Sequence, residues 1–175
     1  SHPVCIYSLD SLYGRKVRRM TLEPGSAEWL QYITASKVAV ILGISPYSSP
    51  KILWHQMKGT LPREEPTTSM SRGHYLEPAI LEWFYDQHPE LEALGTQTCY
   101  NKRIPWAAAN PDSLAGDRHS EFFPVEAKSD HDGDGWGRPH TDEIPIYYAA
   151  QGLWTMHVMQ KPQIYFPMIG PFLEF

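Results

Sequence analysis

The chain of 175 residues reads as an α/β protein, a central mixed sheet flanked by helices on both sides. Three observations predict this. Apolar residues recur at helical spacing through residues 34–42, 50–58, 70–86 and 146–158. Between the last two, stretches over residues 96–128 alternate as strands do. A hydrophobic content of 42%, with ten Tyr and six Trp, is enough to fill a core and excludes a disordered chain. With Ser1-His2 set aside, a single domain over 3–175 is expected.

The elements follow in order. Cys5 to Leu9 reads as a strand, and Arg15 to Arg19 as a basic run on a solvated surface. Ile33 to Ser36 opens a helix, with Thr34 or Ser36 as its cap. Val38, Ala39, Ile41 and Leu42 give its periodicity, and Gly43 stops it. Ser49 caps a second helix with Pro50 at its first position, and Gly59 ends it. Residues 60–69 are a polar, Pro-rich loop. Met70 to Asp86 is a long helix that buries Leu76, Ile80, Leu81 and Phe84, unless Pro78 marks its true start. Thr96 to Ile104, Trp106 to Ala109 and Phe122 to Lys128 are strands, antiparallel neighbours joined by short loops. Asp130 to Gly135 resembles the opening of a calcium loop, but its twelfth position is Thr141 and Pro139 spoils the next helix. It reads instead as a flexible polar loop. Ile146 to Val158 is a helix with Gln151 and Trp154 on one face, and Gln163 to Met168 is a last strand.

Composition narrows the function. No apolar run approaches a membrane span and no signal peptide opens the chain, so a cytoplasmic protein with no membrane partner is expected. Two cysteines without a Cys-x-x-Cys fit a reducing compartment and argue against zinc or iron–sulfur ligation. The net charge of −5 argues against a broad basic face for nucleic acid. Basic residues do cluster locally, at Arg15 to Arg19 and at Lys102-Arg103.

The residues that carry chemistry lie between Ala109 and Ser129. Asp112 arrives on a turn after Pro111, and Glu126-Ala127-Lys128 closes the third strand. Residues two apart on a strand share a face, so Glu126 and Lys128 point one way and Val125 and Ala127 point into a core. Carboxylates beside an ammonium suit Mg²⁺ or Mn²⁺, hard cations that take oxygen ligands and keep several waters. Such an ion binds a phosphate oxygen and lowers the pKa of a bound water. Lys128 can orient that water or neutralise developing charge. The plain alternative is an edge ion pair on an ordinary hairpin. Gly73 lies one helical turn from Glu77 and lets a large group approach there; the alternative for Glu77 is a solvent-facing helical acid. The helix opening at Thr34 and Ser36 offers hydroxyls and free N–H groups to an anion, against the alternative of a plain N-cap.

Together these segments resemble the YqaJ-like viral recombinases, the lambda-type exonuclease family of the PD-(D/E)XK nucleases. Four blocks fall in that family's order over about residues 30–169. They are Ile33 to Val38 with Ile41 to Tyr47, then Gly73 to Pro78, then Pro111-Asp112 with Glu126 to Lys128, then Ile144-Pro145 with Tyr148, Gln151 and Trp154 to Val158. The resemblance implies a PD-(D/E)XK, restriction-endonuclease-like core and a metal-dependent DNA nuclease, a recombination exonuclease acting on duplex ends. It implies that Asp112, Glu126 and Glu77 hold one or two Mg²⁺ or Mn²⁺ ions, that Lys128 assists the water, and that Gln151 belongs to the catalytic set. Ser36, with Thr34 and Arg72, is expected to bind DNA phosphate. DNA is the implied partner, with a single-strand annealing protein and a homo-oligomer as further expectations, in a bacterial or phage-infected cell. Two departures stand out. The family's second Gln is Leu153 here, and its upstream Arg, thought to grip a 5′-phosphate, has no match near Trp29 and Gln31. An endonuclease of the same superfamily is the alternative activity. An inactive DNA-binding or inhibitor module is the alternative class, against which intact Asp112, Glu126 and Lys128 argue.

Overall fold

The computed structural model describes residues 22–23, 25–62, 67–116, 121–138 and 141–170. The expected strand at Cys5 to Leu9 and the basic run at Arg15 to Arg19 lie outside these residues. Among the described residues no helix is long and apolar enough to cross a membrane.

The mixed sheet is present, with its ladders in short pieces. Strands β1 (Glu92–Ala93), β4 (Ser113–Gly116) and β5 (Phe122–Val125) lie side by side and antiparallel, with Ala93 opposite Ala115 and Ser113 opposite Val125. Strands β2 (Cys99–Tyr100) and β3 (Ala108–Ala109) pair antiparallel, and β6 (Lys128–Ser129) pairs parallel with β7 (Met168–Ile169). Hydrogen bonds outside the ladders join the pieces. Leu94 N donates to Leu114 O, and Leu114 N to Gly95 O. Tyr165 N donates to Pro124 O, and Glu126 N to Tyr165 O. Residues 92–100, 107–116, 122–129 and 165–169 thus run as successive neighbours, antiparallel twice and then parallel.

The expected strands are cut short for identifiable reasons. Thr96 to Ile104 keeps only Cys99–Tyr100 as ladder, because the Asn101 side-chain oxygen accepts from Arg103 N at 2.9 Å and Ile104 N at 3.1 Å and turns the chain. Trp106 to Ala109 keeps Ala108–Ala109. Phe122 to Lys128 breaks at Glu126-Ala127, where Ala127 N donates to the Asp112 carboxylate instead of to a strand. The last strand is Met168–Ile169 rather than Gln163 to Met168, with an isolated bridge at Tyr165.

Alternation along β4 sends side chains to both faces. Leu114 packs with Ala109, Val158 and Met159, and Ala115 with Val125 and Phe84. Helix α4 (Ile146–Met159) therefore covers one face, and α3 (Thr68–Gln87) the other. Gly152 is what seats α4: a Cβ there would stand 2.8 Å from the Phe166 ring.

The remaining helices hold two surprises. Helix α2 (Pro50–Met57) follows its sequence signals, with the Ser49 hydroxyl accepting from Ile52 N at 3.4 Å. In α1 (Ala35–Ile41), Thr34 occupies the cap position but makes no side-chain cap bond, and Ser36 lies inside the helix. Its buried face is Ala35, Lys37, Ala39 and Val40, while Ile41 and Leu42 are 46% and 61% exposed, so the expected apolar stripe faces outward in part. Gly43 ends it at φ +70°. Helix α3 begins earlier than expected, capped by Thr67, and runs through Pro78. The missing N–H leaves the His74 carbonyl to water, which an exposed position tolerates.

Candidate active site

The break between β5 and β6 builds the site. Asp112 N donates to Val125 O at 3.0 Å, and Ala127 N donates to Asp112 Oδ2 at 2.8 Å. This reciprocal pair locks the Asp112 turn against the strand end. Glu126 is 2% exposed, and its backbone is fixed to Tyr165. Its Oε2 accepts from Lys128 Nζ at 3.3 Å and from Gln151 Nε2 at 3.1 Å. Its Oε1 is buried without a hydrogen-bond partner among the described residues. Glu126 and Lys128 share a face, as strand alternation predicts, and α4 delivers Gln151 from across the sheet edge.

Electrostatics tie four charged groups together. Burial pushes the Asp112 carboxyl well above the usual carboxylate range, and Glu126 and Glu77 add to that against Lys128 and the Ala127 hydrogen bond. Burial likewise raises Glu77, with His74 and Lys128 opposing and Glu126 assisting. Burial alone would lower Lys128, but Glu126, Asp112 and Glu77 outweigh it and hold the ammonium above its usual value. Glu77 therefore lies within electrostatic reach of Glu126 and Lys128. It makes no direct bond to the others among the described residues.

The donor set fits a hard divalent cation. Two carboxylates face one ammonium, one buried carboxylate oxygen is unpartnered, and two acids bind protons too readily for their chemistry. An ion with two positive charges would relieve all three. No group of three or more acidic, His or Cys side chains is placed to hold a metal among the described residues. Mg²⁺ needs only one or two protein carboxylates, so Asp112 and Glu126 are the pair that fits.

The phosphate candidates are placed unevenly. Ser36 is exposed, and its hydroxyl is 3.4 Å from that of Thr34, which is 3% exposed and lies behind it. Arg72 is half-buried on α3 and acts electrostatically on Asp130. Its neighbour Gly73 meets Ser129 of β6, where a Cβ would stand at an ordinary 3.7 Å, so this contact does not itself demand glycine.

The loop after β6 is tied down, which corrects its reading as flexible. Asp130 accepts from Asp132 N at 3.0 Å, from Gly133 N at 2.9 Å and from Trp136 Nε1 at 3.0 Å. Burial would raise this carboxyl, but those bonds and Arg72 hold it below the usual range. Sequence reasoning missed two other features. Lys37 is buried under the 3₁₀ turn Trp29–Gln31, and Tyr47, Tyr147 and Trp136 gather beside Tyr148. Only the Tyr147-Tyr148 doublet at a helix start hints at the second.

Residues 27–162 match the model of the YqaJ-like viral recombinase domain. The crystal structure of an alkaline exonuclease (LHK-Exo) from Laribacter hongkongensis superposes with a TM-score of 0.60 at 21% identity, covering 85% of this chain and 76% of that one. The structure of LHK-Exo in complex with dAMP gives a TM-score of 0.62 at 21% identity, covering 85% and 74%. No curated protein matches by sequence. At this identity the superpositions show a shared fold. With the domain model spanning most of its length and the acid–acid–lysine set in place, the chain belongs to the YqaJ-like viral recombinase family.

Proposed function

We propose that the protein is a metal-dependent deoxyribonuclease that hydrolyses phosphodiester bonds at duplex DNA ends, as an exonuclease of phage-type recombination. The observation that carries this reading is the buried, unpartnered Oε1 of Glu126 beside Asp112 and Lys128. A module that only bound DNA would have no use for an unpaired carboxylate oxygen that costs about 1–3 kcal/mol to bury.

Asp112 and Glu126 are the residues that would hold Mg²⁺ or Mn²⁺, with Glu77 contributing a third negative charge. When bound, the ion would polarise the scissile phosphate and make a water more acidic. Lys128 then supplies a fixed ammonium that orients the attacking water and offsets charge on the phosphate. Gln151 keeps Glu126 Oε2 engaged, which leaves Oε1 for the ion. Ser36 and Arg72 are the residues expected to meet the backbone, with Thr34 supporting Ser36. The same reading carries a single-strand annealing partner and a homo-oligomer, which sedimentation with and without that partner checks.

The test is incubation with end-labelled linear DNA and covalently closed circular DNA, with and without Mg²⁺. Metal-dependent loss of the linear DNA alone is expected. Cutting of the circle would make the protein an endonuclease. Binding without turnover in either Mg²⁺ or Mn²⁺ would overturn the reading in favour of an inactive module.

A further inference from the structure

An aromatic path leads from open solvent to the candidate site. Tyr47, on the turn between α1 and α2, is 72% exposed. Its ring lies edge-on to Tyr147 at 5.7 Å. Tyr147 lies 4.4 Å from Tyr148, and Tyr148 lies 5.6 Å from Trp136. Lys128 Nζ stands 5.1 Å from the centre of the Tyr148 ring. Three separate segments bring these rings together: the α1–α2 turn, the loop after β6 and the first turn of α4. Trp136 is held in place by its bond to Asp130.

We propose that Tyr47, Tyr147, Tyr148 and Trp136 form a stacking platform for an unpaired nucleobase of the strand whose backbone reaches Lys128. This rests on the nuclease reading above. Trp136 and Tyr148 are half-buried; Tyr47 is held by side-chain hydrogen bonds to Tyr147 and Tyr148, which fix its position and leave its ring open to solvent. Every base presents a π-face, and stacking on aromatic side chains is tolerant of sequence. The charges nearby favour a base over a phosphate. Asp130 and Asp134 both act on Tyr147, so at that ring a neutral base meets less opposition than a phosphate, even with Arg72 acting on Asp130. Burial and the neighbouring phenols keep Tyr147 and Tyr148 protonated, so their hydroxyls add no further negative charge. The position suits the chemistry. A base lifted from the end of a duplex and stacked here would keep its own phosphate close to Lys128.

The test uses the Asp112→Asn background in Mg²⁺, so that no strand is cut. Two DNAs with frayed ends are compared, one with all bases and one with abasic sites in the frayed strand. Tyr47→Ala should weaken binding of the intact DNA about tenfold and leave the abasic DNA unaffected. Tyr47→Trp should restore the intact-DNA affinity. Equal losses on both DNAs, or no loss on either while the parent protein binds well, would overturn the platform and leave the nuclease reading standing. Binding of neither DNA by the parent protein would overturn the platform, while the nuclease reading is judged separately by metal-dependent loss of linear DNA.

Discussion

Lys37 on α1 and Lys128 on β6 are both withdrawn from water, one against backbone carbonyls and the other against carboxylates. Lys37 Nζ donates to Trp29 O at 2.8 Å and Tyr32 O at 2.7 Å, and lies 3.5 Å from the centre of the Trp29 ring. Burial draws its pKa down to about 8, and no carboxylate among the described residues reverses that. At neutral pH Lys37 is still mostly an ammonium, and its donors meet the two carbonyls and the face of the Trp29 ring, so the site is complete as it stands. Lys128 is buried too but is held charged by Glu126, Asp112 and Glu77. Its surroundings are not complete. Glu126 keeps an orphan oxygen, and Asp112 and Glu77 are both pushed above the carboxylate range, chiefly by burial. The first lysine pins a turn to a helix. The second sits in an assembly that an added positive charge would satisfy, which is what the proposed functional role requires and a structural one does not.

The sharpest break of this comparison is Asp112→Asn. Cleavage should be abolished, yet the metal-free protein should become more stable at neutral pH. The sign follows from linkage. Asp112 has a folded pKa above its ordinary value of 3.8, so its contribution is favourable while protonated and is lost as pH rises through the folded pKa. Metal-free wild type should therefore melt at lower temperatures as pH climbs above about 4, and Asp112→Asn should flatten that slope. Mg²⁺ should raise the melting temperature of wild type and leave the variant unmoved. A variant less stable than wild type at every pH would mean that Asp112 is structural, like Lys37.

The next largest effect tests the other member of the pair. Lys128→Ala should lower turnover by about 10²–10⁴-fold, the usual range for a positioned proton-transfer group. DNA affinity should barely change, because one cation among many phosphate contacts adds little. Equal losses in rate and affinity would make Lys128 a phosphate clamp.

Lys37→Met should do the opposite. Two buried carbonyls lose their donors, so stability should fall by about 2 kcal/mol while turnover per folded molecule stays put. Wild-type stability should rise as pH goes from about 8 toward 10.5, since the unfolded chain still holds a proton that the native amine has shed. The Met variant should lack that rise, and a variant with full stability but lost activity would erase the distinction between the two lysines.

The smallest effect belongs to Ser36→Ala. A loss of about 1 kcal/mol in DNA affinity is expected, alike for all sequences. The melting temperature should hold, because Ser36 is exposed and Thr34, not Ser36, occupies the cap position. A lower melting temperature with unchanged affinity would leave Ser36 structural only.

By itself the sequence determined the elements whose signals are local, and singled out the residues that gather at the candidate site. Ser49-Pro50 sets the start of α2 within two residues. Apolar spacing sets the extents of α3 and α4 to within a turn. Asp112, Glu126 and Lys128 are legible because a strand fixes which residues share a face. The tertiary structure decided everything that depends on distant residues meeting. A polar hydroxyl neighbour and a charged side chain gave no warning that Lys37 would face inward, because only the carbonyls of Trp29 and Tyr32 make that burial tolerable. The strand break at Ala127 exists because Asp112, from another strand's entry, captures its N–H. Glu77 and Gln151 join the site only because α3 and α4 cover opposite faces of one sheet and both reach the end of β5. Helical periods and caps are written within a few positions, whereas the alignment of α3 and α4 over Glu126 is set by the sheet's register and by which side chains fill the space between them.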